Sequence, residues 1–180
     1  MKLNIGCGGE WLPSYLNVDR EDHAQICAWM KAVGKPLPII GSAQFEQRDL
    51  TLNWPWATDS VEEILADNFL EHLTPPELTH LLREELRVLA PGGMITGRVP
   101  DFARIWKLYE ERSQWEWFPG GTVGDYAEPA MNALHNYCYG WGHKQIFTEE
   151  MLQARLAAAG FEVRVWPVEE VGLRYEAMKP

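Results

Sequence analysis

The chain has 180 residues, of which 46% are hydrophobic and 23% charged, the balance of a single globular domain able to bury its own core. A net charge of −10, with Lys and Arg scattered along the chain, disfavours a phosphate backbone as partner and makes nucleic acid an unlikely substrate class. No apolar run reaches the length of a membrane span and no signal peptide is evident. The three cysteines (Cys7, Cys27, Cys138) stand at unrelated spacings, which favours a reducing, cytoplasmic compartment over a disulfide framework.

The first stretch, Lys2-Leu-Asn-Ile-Gly-Cys-Gly-Gly9, reads as a short strand (Leu3, Asn4, Ile5) running into glycines that permit positive φ and close approach of a ligand to backbone. Tyr15-Leu-Asn-Val-Asp19 is a second strand ending in an acid. A glycine turn after one strand and a carboxylate after the next is how open α/β sheets hold a ribose. Both nicotinamide dinucleotides and S-adenosylmethionine use that plan. A dinucleotide fingerprint needs a third glycine and a helix N-terminus facing a pyrophosphate. Here the third position is Trp11, and Gly9 to Ser14 leave no room for a crossover helix. S-adenosylmethionine carries no phosphate and loses less by that omission.

From Arg20 to Gly41 the pattern is weakly helical, with Ala24, Cys27, Ala28 and Val33 as the expected apolar stripe and Gly34-Lys-Pro36 as its stop. Phe45-Glu-Gln-Arg-Asp49-Leu50 reads as a third strand ending near an acid, and Leu52-Asn-Trp-Pro-Trp56 as a loop. Val61 to Ala66 is a strand leading into Asp67-Asn-Phe-Leu-Glu-His72. Thr74, Pro75 and Glu77 then form a capping-box start, and Leu78, Leu81, Leu82, Leu86 and Leu89 predict a helix face against the sheet, stopped by Pro91-Gly92-Gly93. Met94 to Val99 is a buried strand. Asp101 precedes a helix marked by Phe102, Ile105, Trp106 and Tyr109. Thr148 to Ala159 is a capped helix, Phe161 to Trp166 a strand, and a last strand lies within Val171 to Met178. The segment 113–146 fits neither period; it carries seven aromatics among several glycines, and is expected to cover the sheet or to lid a pocket.

Taken in order, these stretches resemble class I S-adenosylmethionine-dependent methyltransferases across nearly the whole chain. Leu3-Asn-Ile-Gly-Cys-Gly8 is similar to the first motif of that family and Leu16-Asn-Val-Asp19 to its acidic second. Arg48-Asp49-Leu50 resembles the adenine-contacting segment. Asp59-Ser-Val-Glu-Glu-Ile64 with Phe69-Leu-Glu-His-Leu73 resembles the fourth strand and its exit. Leu86-Arg-Val-Leu-Ala-Pro-Gly-Gly93 resembles the turn into the fifth strand. The short link between the first two strands and the late His143-Lys-Gln-Ile-Phe147 are most like a compact branch of the family. The resemblance implies an α/β fold, a doubly wound, mostly parallel seven-stranded Rossmann-like sheet with a shortened or missing first helix. It implies one domain over 1–180, with 113–146 as lid or acceptor region.

The same resemblance implies roles for individual residues. Gly6, Cys7 and Gly8 would pass under the methionine part of S-adenosylmethionine, and Asp19 would accept from both ribose hydroxyls. Val18 and Leu50 would sandwich the adenine, and Asp49 would accept from its exocyclic amine. Asp67 and Asn68 would face the methionine amino group and the donor sulfur, with Asn68 standing where the branch often carries His. Methyl transfer is chiefly a matter of alignment, but a hydroxyl nucleophile also needs a general base. The candidates are His135, His143, Asp101 and His72; Asp101 also occupies an expected helix N-cap. His135, Cys138 and His143 could supply three ligands to a metal, but they offer no fourth ligand and match no zinc spacing, so no metal is expected. The expected acceptor is a small molecule or glycan. The alternatives are a non-catalytic cofactor-binding partner subunit and, less favoured, a nucleic-acid methyltransferase. The last lacks an Asn/Asp-Pro-Pro-Tyr/Phe tetrad and would need Arg98, Arg104, Lys107 and Arg112 to form one basic face.

Overall fold

Parallel strands joined without a helix must satisfy the linking backbone some other way. In this chain two buried asparagines do so between β1 (Lys2–Ile5) and β2 (Leu16–Asp19). Asn4 Nδ2 donates to Asn17 Oδ1 at 2.9 Å and to the Glu10 carbonyl at 2.7 Å. Asn17 Oδ1 accepts from Leu12 N, while Asn17 Nδ2 donates to the carbonyls of Leu12, Tyr15 and Gln44. Trp11 lies flat on Phe45, with ring centroids 4.7 Å apart, where a first helix would otherwise sit. The helix predicted to be missing is replaced by a polar knot and a stacked ring.

The computed structural model describes residues 1–32, 34–37, 43–111, 129–168 and 171–180. After β2 come α1 (His23–Ala32), β3 (Gln44–Gln47), β4 (Val61–Asp67), a 3₁₀ turn (Leu70–His72) and α2 (Pro75–Val88). They are followed by β5 (Leu89–Pro100), α3 (Phe102–Glu111), α4 (Pro129–Tyr139), α5 (Glu149–Ala158), β6 (Glu162–Val168) and β7 (Gly172–Met178). The strands form one seven-stranded sheet in the order β3-β2-β1-β4-β5-β7-β6. β1 to β5 are parallel, and β7 runs antiparallel between β5 and β6. The chain leaves β1 toward β2 on one side and returns to β4 on the other, so the carboxyl end of β1 lies at a topological switch point, where such sheets bind ligands.

The core joins Leu3 and Ile5 of β1, Ile64 and Ala66 of β4, Ile95 and Val99 of β5, and Leu173 and Tyr175 of β7 to Leu78, Leu81 and Leu82 of α2 and Leu152 and Leu156 of α5. Strands buried on both faces carry apolar residues at consecutive positions, as parallel sheets require. α2 begins as predicted: Pro75 opens the helix, and Glu77 Oε2 accepts from the Thr74 N–H at 2.6 Å. It ends three residues before the Pro-Gly-Gly turn, however. Leu89 already has extended backbone and pairs with Val61 as the start of β5, and the buried face of the helix includes Glu85 instead. In α1 the stripe also differs from expectation. Ile26 and Met30, one turn apart, are buried, whereas Ala24 and Ala28 are exposed because they offer too little apolar area to direct the helix; Val33 lies outside the described residues.

Candidate functional site

The turn after β1 is built on two left-handed glycines, Gly6 at φ +58° and Gly8 at φ +47°. A side chain at Gly6 would overlap the Phe69 ring, so this glycine lets the β4 exit pack against the turn. At Gly8 a Cβ would meet nothing, and the backbone there faces open space. The Gly8 N–H donates to Asp19 Oδ2 at 2.8 Å, and Glu21 N donates to Asp19 Oδ1 at 3.1 Å. The acid ending β2 is thereby held against the glycine turn ending β1. The Cys7 amide donates to the Val18 carbonyl, and burial, aided by the nearby Asp19 charge, pushes the Cys7 thiol well above its ordinary range, leaving it unreactive.

Asp49 follows β3. Its Oδ1 accepts from Thr51 N at 2.9 Å and Thr51 Oγ1 at 2.6 Å, and these bonds hold its carboxyl below the usual range. Val18 and Leu50 are 0% and 4% exposed and belong to the core. Both side chains of the expected sandwich pack into the core, because in an interior strand the residue beside Asp19 turns inward. Asp67 ends β4 and pairs through Oδ2 with Arg98 of β5, 3.0 Å from Nη2. Asn68 takes a left-handed conformation, φ +48°, and its N–H donates to the Arg98 carbonyl.

The four candidate bases do not converge. Asp101 is the N-cap of α3, its Oδ1 accepting from Ala103 N and Arg104 N, so one of its two oxygens serves the helix end. His135 lies on α4 with its ring 5.7 Å from that of Tyr139, apart from the other histidines. His72 and His143 do meet, at right angles, with ring centroids 4.9 Å apart. Burial, reinforced for His72 by the His143 charge, lowers the pKa of both rings, and both are neutral at pH 7. Beside them is Glu71, to which the sequence analysis gave no role. It is buried, neither of its oxygens has a hydrogen-bond partner among the described residues, and burial pushes its carboxyl up to about 8. A charged residue between Leu70 and His72, in an apolar turn, was the signal available in the sequence.

The strand-like segment after α4 is fastened to this turn. Lys144 N and Gln145 N donate to the Glu71 carbonyl, and Gln145 Nε2 donates to the Leu73 carbonyl at 2.7 Å. Trp115, Trp117, Phe118 and Tyr126 of the aromatic segment lie outside the described residues, as does Arg112. Of the basic face that nucleic acid would need, Arg98 is paired to Asp67, Lys107 to Glu111, and Arg104 donates to the Val168 carbonyl. Among the described residues no helix is long and apolar enough to cross a membrane.

An open glycine backbone with a fixed carboxylate beside it fits a ribose-bearing cofactor. The comparisons agree with the geometry. Residues 3–96, more than half of the chain, match the family described as methyltransferase domain. No curated protein matches by sequence. An S-adenosylmethionine-dependent methyltransferase from Methanosarcina mazei is 20% identical, with 99% of this chain and 91% of that one covered and a TM-score of 0.59. One from Aquifex aeolicus is 17% identical, with 99% and 81% covered and a TM-score of 0.59. The PH0226 protein of Pyrococcus horikoshii is 13% identical, with 99% and 81% covered and a TM-score of 0.63. The chain belongs to the methyltransferase-domain family and is an S-adenosylmethionine-dependent methyltransferase.

Proposed function

We propose that this methyltransferase acts on a small-molecule or glycan-type acceptor, with the cofactor on the Gly6–Gly8 turn and the acceptor entering beside His72 and His143. The observation that carries the reading is the 2.8 Å hydrogen bond from Gly8 N to Asp19 Oδ2, which fixes a carboxylate at the tips of two adjacent strands. Each Asp19 oxygen accepts one backbone bond and keeps capacity for a hydroxyl, which suits a ribose diol. Asp49, with Oδ1 committed to Thr51, would offer Oδ2 to the adenine amine. Gly6 and Cys7 would pass under the methionine part, and Asp67 and Asn68 would face its amino group, Asp67 through the oxygen not paired to Arg98. When bound, S-adenosylmethionine supplies an electrophilic methyl carbon on a good leaving group, so the chain's contribution is alignment and exclusion of water.

The acceptor side is supported by what surrounds His143. Tyr137 and Trp141 lie edge to face with centroids 5.5 Å apart, and the Trp141 ring is 5.8 Å from that of His143. Aromatic faces beside neutral imidazoles suit a sugar or a planar ring better than a polyanion. The segment 113–146 would complete this region as lid or acceptor wall, within one domain over 1–180. Three unpaired cysteines suit a reducing, cytoplasmic compartment.

Calorimetry with S-adenosylmethionine and with its demethylated product tests the cofactor half, and demethylated product formed against acceptor pools tests the rest. Binding and turnover with small hydroxyl, amine or glycan acceptors are expected. Binding without turnover would make the chain a cofactor-binding partner subunit, and turnover confined to nucleic acid would overturn the acceptor assignment.

A further inference from the structure

A buried carboxylate with no hydrogen bond is costly to maintain, and Glu71 is 1% exposed with both oxygens unpartnered among the described residues. What faces it is a pair of imidazoles. One donor atom from each of Glu71, His72 and His143 lies within 4.8 Å of the other two, yet the carboxylate bonds neither ring. Three groups so placed are too distant to satisfy one another and near enough to share an ion.

The His143 ring is also held as metal-binding rings are held. His143 Nδ1 lies 2.8 Å from the Tyr137 carbonyl; with that nitrogen donating, the lone pair on Nε2 is left for a ligand. His72 meets that ring edge to face, with ring centroids 4.9 Å apart. A backbone carbonyl behind the His143 imidazole fixes its tautomer and orients the ring toward a cation. The two bonds from Lys144 N and Gln145 N to the Glu71 carbonyl tie the segment carrying His143 to the turn carrying the other two groups.

We propose that Glu71, His72 and His143 form a binding site for a divalent transition-metal ion of the zinc type, with at least one coordination position left open. Two imidazoles and one carboxylate suit zinc and its first-row neighbours, whereas magnesium and calcium ask for oxygen ligands alone. Bonds of about 2.0–2.2 Å place tetrahedral ligand atoms roughly 3.3 Å apart, so the three groups draw inward when the ion enters. The ion then supplies the partner that the Glu71 oxygens lack. His135 and Cys138 are not members of this group. Under the proposed function, an acceptor oxygen in the open position would be held beside the cofactor turn; ion binding itself does not depend on that reading.

The test is zinc titration of the full chain against a chromogenic chelator, with the visible absorption of a cobalt(II)-substituted sample as a second readout. One ion per chain is expected, with a low-coordinate cobalt spectrum. E71Q and H143Q should each weaken binding by at least about 10-fold. C27S, which removes the thiol lying 3.2 Å from His23 Nε2 as an alternative ligand, should leave it unchanged. No zinc bound by the wild type, equal binding in E71Q and H143Q, or loss in C27S would overturn the site. Calorimetry with the demethylated cofactor on the same samples keeps this outcome separate from any failure of the methyltransferase reading.

Discussion

Under the proposed function Asp19 serves both the fold and the ligand with the same two oxygens, so its replacement has two measurable effects. D19A removes the acceptor of the Gly8 N–H and costs about 1 kcal/mol of stability in urea denaturation. It also removes the proposed ribose partner, and calorimetric affinity for the demethylated cofactor is expected to fall about 10- to 100-fold, as for loss of hydrogen bonds to a charged group. Unchanged affinity would move the cofactor off this turn. G6A brings a Cβ into the Phe69 ring at a positive φ, and a loss of at least about 2 kcal/mol is expected from the backbone strain and the overlap. Asp19 and the glycines were legible in the sequence because an acid or a glycine at a strand end has few competing explanations. The full burial of Val18 was not legible, because its neighbour's place at the strand end says nothing about its own side of the strand. Glu71 went unassigned because burial of a carboxylate cannot be inferred until its turn is known to lie under another segment.

Among the elements, the link between β1 and β2 holds its shape through Asn17, whose amide satisfies four backbone groups of residues 12, 15 and 44. N17A removes the partner of those part-buried groups and leaves a void at a fully buried side chain, and a loss of about 1–3 kcal/mol is expected in equilibrium denaturation, above that of a surface Asn. A loss below 1 kcal/mol would mean that water takes over the knot. The absence of a helix here was legible from the six residues available, but the device replacing it was not, since nothing in an Asn codon distinguishes a buried knot from a surface turn. α2 was legible at its start, where cap, proline and glutamate coincide, and less so at its end. Its last turn competes with the first pairing of β5, and Leu89 gains more by joining Val61 in the sheet. α1 had the opposite weakness, two large side chains (Ile26, Met30) among many small ones.

Across the whole molecule the acids are not equivalent. Glu84 of α2 accepts from Arg87 and from Trp54 N, and its carboxyl is held down to about 2. One position on, Glu85 is 0% exposed with no hydrogen-bond partner among the described residues, and burial pushes its carboxyl up to about 8. The folded state therefore keeps a proton that the unfolded chain releases near 4.5. The stability this proton provides is complete below that pH and is lost as pH rises toward 8, with a slope of at most about 1.4 kcal/mol per pH unit. E85Q removes the dependence, so its stability relative to the wild type should climb between pH 5 and pH 8. A constant difference would show Glu85 ionised in place. The sheet has a further consequence for the chain as a whole. β7 comes last in this sequence, yet it is clasped between β5 and β6. A stop codon ahead of Gly172 would amputate an interior plank, baring the flank of β5 and leaving β6 adrift with α5, so even a nine-residue trim at this end is expected to abolish folding where a peripheral strand would be dispensable.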